Sequence, residues 1–164
     1  IYEIAEKYNT KFFSTSALRY ATELDDFKNG VNSVSITGGG RSFQEYIVHQ
    51  IEMLVKLMGT NAEEVKVFNA GKQTMCVVKF SDGRCGFLEY ASSNPFSIAV
   101  EEKNGDTFTK NIDSEFFIGM LDSILNFFLN GNLPFEKEQT LAVIGIRDAL
   151  IKAIDTPDEW VKVK

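Results

Sequence analysis

Two short stretches constrain this chain more than any others: Ser81-Asp82-Gly83-Arg84 and Asn104-Gly105. Each lies between runs rich in Val, Ile, Phe and Thr. Asp-Gly and Asn-Gly in that setting are strong hairpin signals, because a tight turn needs positive φ and these residues tolerate it. Strands joined by tight hairpins are antiparallel. Residues 74–91 and 96–112 therefore read as two antiparallel hairpins. With two-residue turns, Phe80 would face Cys85, and Cys76 would face Glu89. The two cysteines would then lie about four residues apart along the ladder, roughly 13 Å. That is too far for a disulfide, and their spacing suits no metal site, so both are expected to serve packing.

The remaining segments are placed around these hairpins. Residues 31–40 read as a strand running into Gly38-Gly39-Gly40, residues 42–58 as a long helix, and residues 63–71 as a strand stopped by Gly71. Two helices follow the hairpins, over 114–130 and 136–154, the first opened by Ser114 and closed by Gly131. The tail Glu159–Lys164 alternates like an edge strand with its lysines outward. Six or seven hairpin-linked strands and three helices predict an α+β fold, an open and mostly antiparallel sheet with its helices on one face. The bare face, with Val77, Leu88, Phe96 and Ile98 in alternation with polar residues, is expected to support a homo-oligomer. The first thirty residues differ. They read as a helix end over 1–9, a strand over 10–18 and a helix over 19–30, the rhythm of an α/β unit. The expected division is therefore 1–30, the tail of a Rossmann-type nucleotide-binding domain, and 31–164, the α+β domain.

Composition narrows the partners. Of 164 residues, 44% are hydrophobic and 24% charged, ordinary values for one globular domain. The net charge is −6 with no basic run, which argues against nucleic acid and anionic membrane surfaces. No apolar run is long enough to span a bilayer. The N-terminal residues are amphipathic and acidic, unlike a signal peptide. A cytoplasmic protein is expected.

The sole histidine, His49, lies in the 42–58 helix. At about 100° per residue, Glu45, His49, Glu52 and Lys56 form one stripe roughly 60° wide, and the rest of the circumference is largely apolar. A helix so apolar is clamped between layers, with its narrow polar strip open to a cleft. The strip has three readings. It is a solvated face laced by i,i+4 pairs, or a proton-transfer site, or a metal site of Glu45, His49 and Glu52. The last lacks a second His or Cys. In the proton-transfer reading, Glu45 accepts a hydrogen bond from the imidazole and raises its pKa.

The order of these segments carries a resemblance. A strand and Gly38-Gly39-Gly40 are followed by Glu45-Tyr46-Ile47-Val48-His49, then Val77-Val78-Lys79-Phe80 to Tyr90, then a final helix and Glu159-Trp160-Val161. This resembles the C-terminal domain of the Gfo/Idh/MocA oxidoreductases, the glucose–fructose oxidoreductase and inositol dehydrogenase group, over nearly the whole chain. The exit from their nucleotide-binding domain is similar to residues 8–20. The resemblance implies a parent that moves a hydride between NAD or NADP and a sugar or polyol carbinol. It implies His49 and Glu45 as catalytic residues, at the positions of the family's Asp-x-Gly-x-His motif, with Ile47 in place of the glycine. Glu52, Tyr46 and Arg19 would contact substrate. No Gly-x-Gly-x-x-Gly follows a strand here, so the chain alone is expected neither to hold the dinucleotide tightly nor to turn over substrate. Two alternatives remain: a non-catalytic binding or scaffold relative, and an unrelated cofactor-free isomerase-like pocket protein.

Overall fold

The computed structural model describes residues 1–27 and 29–164. Its elements are α1 (Tyr2–Lys7), two 3-10 turns (Ala17–Tyr20 and Thr22–Leu24), β1 (Val31–Gly38), α2 (Phe43–Met58), β2 (Ala62–Ala70), β3 (Gln73–Phe80), β4 (Cys85–Tyr90), β5 (Ser97–Glu102), β6 (Thr107–Asn111), α3 (Phe116–Asn130), α4 (Lys137–Ala153) and β7 (Val161–Lys162).

The strands form one seven-stranded sheet in the order β6-β5-β1-β4-β3-β2-β7. Every neighbouring pair is antiparallel except β1 with β4. The exception has a simple origin. Helix α2 carries the chain from β1 across the sheet to β2, and the β2-β3-β4 meander then returns to β1 running in its direction. The architecture is thus α+β with an open, mostly antiparallel sheet, as the hairpin signals predict.

Both predicted hairpins form, one residue out of the expected register. Lys79 faces Cys85 and Cys76 faces Leu88. The Phe80 N–H bonds the Arg84 carbonyl, and the Gly83 N–H bonds Phe80. The second hairpin repeats the pattern, with Glu102 on Asp106 and Gly105 on Glu102. Each loop therefore has three residues, and its glycine takes the left-handed position, at φ 86° for Gly83 and 92° for Gly105. A side-chain clip holds each loop. Asp82 accepts from the Arg84 N–H and guanidinium, and Asn104 accepts from the Asp106 N–H. The shift matters because it turns side chains over. Leu88 and Ile98 lie on the covered face and are buried. Phe96 is partly buried against the core. Of the four residues expected on the bare face, only Val77 is there. That face instead carries Phe68, Met75, Phe87 and Trp160, among Ser33, Ser35, Thr37, Lys66 and Glu89. The cysteines are both free, and burial pushes the Cys76 thiol up to about 12, which suits a packing role.

The core lies between the sheet and two helices. Ile47, Ile51, Leu54 and Met58 of α2, with Val143, Ile146 and Leu150 of α4, cover Val34, Ile36, Val65, Val67, Val78, Phe80 and Leu88. Helix α3 was expected to pack on the sheet beside α2 and α4 and lies instead one layer out, over the turn Ala17–Tyr20 that packs on α2. None of its residues is buried. Tyr20 donates to Ser123, and Phe127 meets Phe13 edge-on at 5.0 Å. The reason is space: α2 and α4 already occupy the covered face.

The N-terminal segment also departs from expectation. Residues 10–16 take no regular secondary structure and join no ladder among the described residues, so the strand expected over 10–18 does not form there. The helix expected over 19–30 is only the two 3-10 turns, and its position 28 lies outside the described residues. Leu18, Ala21 and Leu24 enter the common core.

Candidate functional site

The site grows from the polar stripe of α2, and the segment around Ser16–Asp25 covers most of it. Ser16 Oγ lies 2.6 Å from His49 Nδ1. Arg19 Nη1 bonds Glu52 Oε2 at 3.1 Å, with the two residues 5% and 3% exposed. Lys56 Nζ bonds the Arg19 carbonyl at 2.9 Å and the Asp25 carboxylate at 2.7 Å. The Arg19 guanidinium stacks 4.0 Å over the Phe135 ring. So the stripe is neither solvated along its length nor open along its length. It is a buried polar seam that clamps the N-terminal segment to the helix. Arg19 and Glu52, expected to contact substrate, instead satisfy each other inside it.

Glu45 behaves differently. It is exposed, takes a bidentate ion pair from Arg41, and accepts from Ser42 Oγ at 3.1 Å. No hydrogen bond joins it to His49 among the described residues. The expected His49–Glu45 pair is therefore not made, because Arg41, one turn earlier, captures the carboxylate at the solvent edge. The expected rise of the His49 pKa does not occur either. Burial without a neighbouring anion pushes it below the usual histidine value. Burial conversely pushes the Glu52 carboxyl up, and Arg19 opposes but does not cancel this.

Beyond Ser16, the imidazole borders a small cavity of about 240 Å³ lined by Ala17, Leu18, Tyr46, His49, Phe96, Phe116 and Phe117. Tyr46 meets the ring edge-on at 5.5 Å and Phe96 at 6.1 Å. Tyr46 is thus the one expected substrate contact that shares a cavity with His49. Ile47 is fully buried in the core and does not line the cavity.

The glycine cluster is a packing device. The β4–β5 connection crosses the end of β1, and a β-carbon on Gly39 would fall 2.1 Å from the Ala91 carbonyl oxygen. On Gly38 it would strike Phe96, and on Gly40 Tyr46. The glycines are filled by protein, so they build no cradle for a pyrophosphate, and these residues do not fit a dinucleotide. Around them, Tyr90 Oη donates to the Gly40 carbonyl at 2.7 Å and Gln50 Nε2 to the Glu89 carbonyl at 3.1 Å. The described residues hold no cluster of three or more His, Cys, Asp or Glu suited to a metal, and no helix is long and apolar enough to cross a membrane.

Ser16 is the functional neighbour that sequence reasoning misses. It is 33 residues from His49, in a stretch with no local motif, and only the tertiary fold brings the two together.

No protein-family model matches this chain. No curated protein sequence matches it. Solved structures do. Scyllo-inositol dehydrogenase from Lactobacillus casei, solved with NAD(H) and scyllo-inositol, superposes with a TM-score of 0.72 at 14% identity, over 98% of this chain and 67% of that one. A probable dehydrogenase from Thermotoga maritima gives 0.76 at 15% identity, over 98% and 68%. The WlbA dehydrogenase from Bordetella pertussis, in complex with NADH and UDP-GlcNAcA, gives 0.66 at 12% identity, over 99% and 66%. The chain therefore has the fold of about two thirds of these dehydrogenases.

Proposed function

We propose that residues 31–164 are the substrate-side unit of an NAD(P)-dependent oxidoreductase of the Gfo/Idh/MocA family, acting on a sugar or polyol hydroxyl. In this reading residues 1–30 are the tail of a nucleotide-binding domain, and that domain supplies the dinucleotide cradle absent here. The observation that carries it is the setting of His49. One ring nitrogen is held by Ser16, the ring borders an aromatic-walled cavity, and the whole lies in a fold shared with dehydrogenases. A neutral imidazole in such a place can take or return a hydroxyl proton. The Tyr46, Phe96, Phe116 and Phe117 rings suit the C–H face of a cyclic polyol. The bare sheet face makes the homo-oligomer contact, in a cytoplasmic protein.

The test is an assay of the full-length gene product with NAD or NADP against a panel of inositols and sugars. His49→Ala should lower kcat by about 10²–10⁴ with a retained fold. Full activity in that variant would overturn the assignment.

A further inference from the structure

The residue that orients His49 does not lie on its own helix. We propose that Ser16, rather than the carboxylate one turn earlier on α2, is the positioning residue of His49, holding Nδ1 so that Nε2 is presented to the cavity. For its catalytic consequence this rests on the reading of His49 as the proton-transfer group.

The geometry carries the assignment. Ser16 Oγ is 2.6 Å from Nδ1, whereas both Glu45 oxygens are taken by Arg41 and Ser42. Ser16 is itself held. It is 8% exposed, its carbonyl accepts from the Arg19 N–H at 3.3 Å, and the Arg19 side chain is locked to Glu52 on the helix of His49. The groups packed on the ring are Tyr46 from its own helix, Phe96 from the β4–β5 connection, and Ser16. The Glu52–Arg19 pair lies about one turn along and neutralises itself. No carboxylate bonds the imidazole among the described residues.

The chemistry differs from that of a carboxylate partner. An ionised carboxylate only accepts, so it fixes the Nδ1–H tautomer and favours the imidazolium. A hydroxyl donates or accepts, so Ser16 serves either neutral tautomer. With Nδ1–H donated to Ser16 Oγ, the Nε2 lone pair faces the cavity and can accept a hydroxyl proton. The resulting imidazolium keeps the same hydrogen bond. With Ser16 as donor, Nε2–H faces the cavity and can bond a carbonyl oxygen. The device is a base that works neutral, with an acid limb lower than a carboxylate-backed histidine would give.

The test uses the chain's single histidine. With ¹⁵N-labelled imidazole, NMR reads the tautomer ratio and titration midpoint without overlap. Ser16→Ala removes the hydroxyl but keeps the backbone carbonyl that accepts from the Arg19 N–H, so the Arg19 amide signal should stay while the ring nitrogens shift toward a free-imidazole tautomer mixture. Ser16→Thr should restore them, and Glu45→Gln should leave them unchanged. If Ser16→Ala loses the fold, Ser16→Cys gives the same comparison with a weaker partner. Wild-type ring signals in the folded Ala or Cys variant, or a ring shift in Glu45→Gln, would overturn the proposal. In the full-length protein, Ser16→Ala should lower kcat about 10- to 100-fold with KM little changed. A wild-type protein with no dehydrogenase activity would overturn the functional reading and leave the ring result standing.

Discussion

Burial sets the charge of two side chains on the same helix in opposite senses. His49 is half-buried without an anion and has a lowered pKa. Glu52 is buried and has a raised one despite Arg19. Each makes stability depend on pH. For His49 the unfolded chain binds the proton more readily, so its contribution is full above the unfolded value of about 6.5. It is lost as pH falls from there through the folded value. For Glu52 the contribution is full below the unfolded carboxyl value and is lost as pH rises through the folded one. The two oppose each other in mildly acidic solution. His49→Gln should therefore lose stability relative to wild type at pH 7.5 and progressively less toward pH 5, measured by urea unfolding. A difference that grew on acidification would show the imidazole to be stabilised in its charged form. The Arg19–Glu52 pair permits a second measurement. Glu52→Gln leaves a buried guanidinium without its anion, which typically costs about 3–5 kcal/mol. The double change Arg19→Met, Glu52→Leu should recover most of that, because it removes both buried charges.

Helix α3 shows how an element can satisfy its sequence pattern and still lack a partner. Ser114 was expected to cap it and does not: the N-cap position is Glu115 with no side-chain cap bond, because the Ser114 N–H and hydroxyl bond Glu23 instead. Its end is set by Gly131 in the left-handed conformation, with the Gly131 N–H on the Phe127 carbonyl. Its outward side nevertheless carries Phe117, Ile118, Leu121, Leu125, Phe128 and Leu129, each more than half exposed. A patch of that kind limits solubility. Because none of these residues is buried, Leu125→Glu with Phe128→Lys should leave the melting temperature within a few degrees of wild type and raise the concentration at which the chain aggregates. A large fall in melting temperature would mean the helix packs more deeply than it does in this structure.

The sheet as a whole separates a covered face from a bare one. Phe87 and Val77 pair across β4 and β3 near the middle of the bare face, and Met75 and Phe68 pair across β3 and β2 beside them. Self-association through this face follows from the proposed function. Sedimentation velocity should give a dimer or larger species for wild type, and Phe87→Lys with Met75→Lys should give monomer. Since the α3 changes lie elsewhere, they should leave the oligomer intact. A monomeric wild type would remove the proposed interface.

The sequence by itself determined the local elements. Asp82-Gly83 and Asn104-Gly105 set both hairpins, the apolar periodicity of 43–58 set α2, and Gly131 set the end of α3, because turn conformation and hydrophobic period are local properties. Hairpin length was not so determined. A two-residue and a three-residue loop share the same dipeptide, and the choice at the first hairpin put Leu88 opposite Cys76 in the core, while the pairing of β5 with β1 put Ile98 there opposite Ile36. His49 could be picked out as the one imidazole on a narrow polar stripe. Its partner could not, since Ser16 reaches it only after the N-terminal segment folds over α2. The tertiary structure alone decided that Arg19 and Glu52 pair with each other, that Arg41 takes Glu45, and that α3 stands off a covered face already filled. Each is a competition for a partner or for space, and no residue's neighbours in sequence settle such a competition.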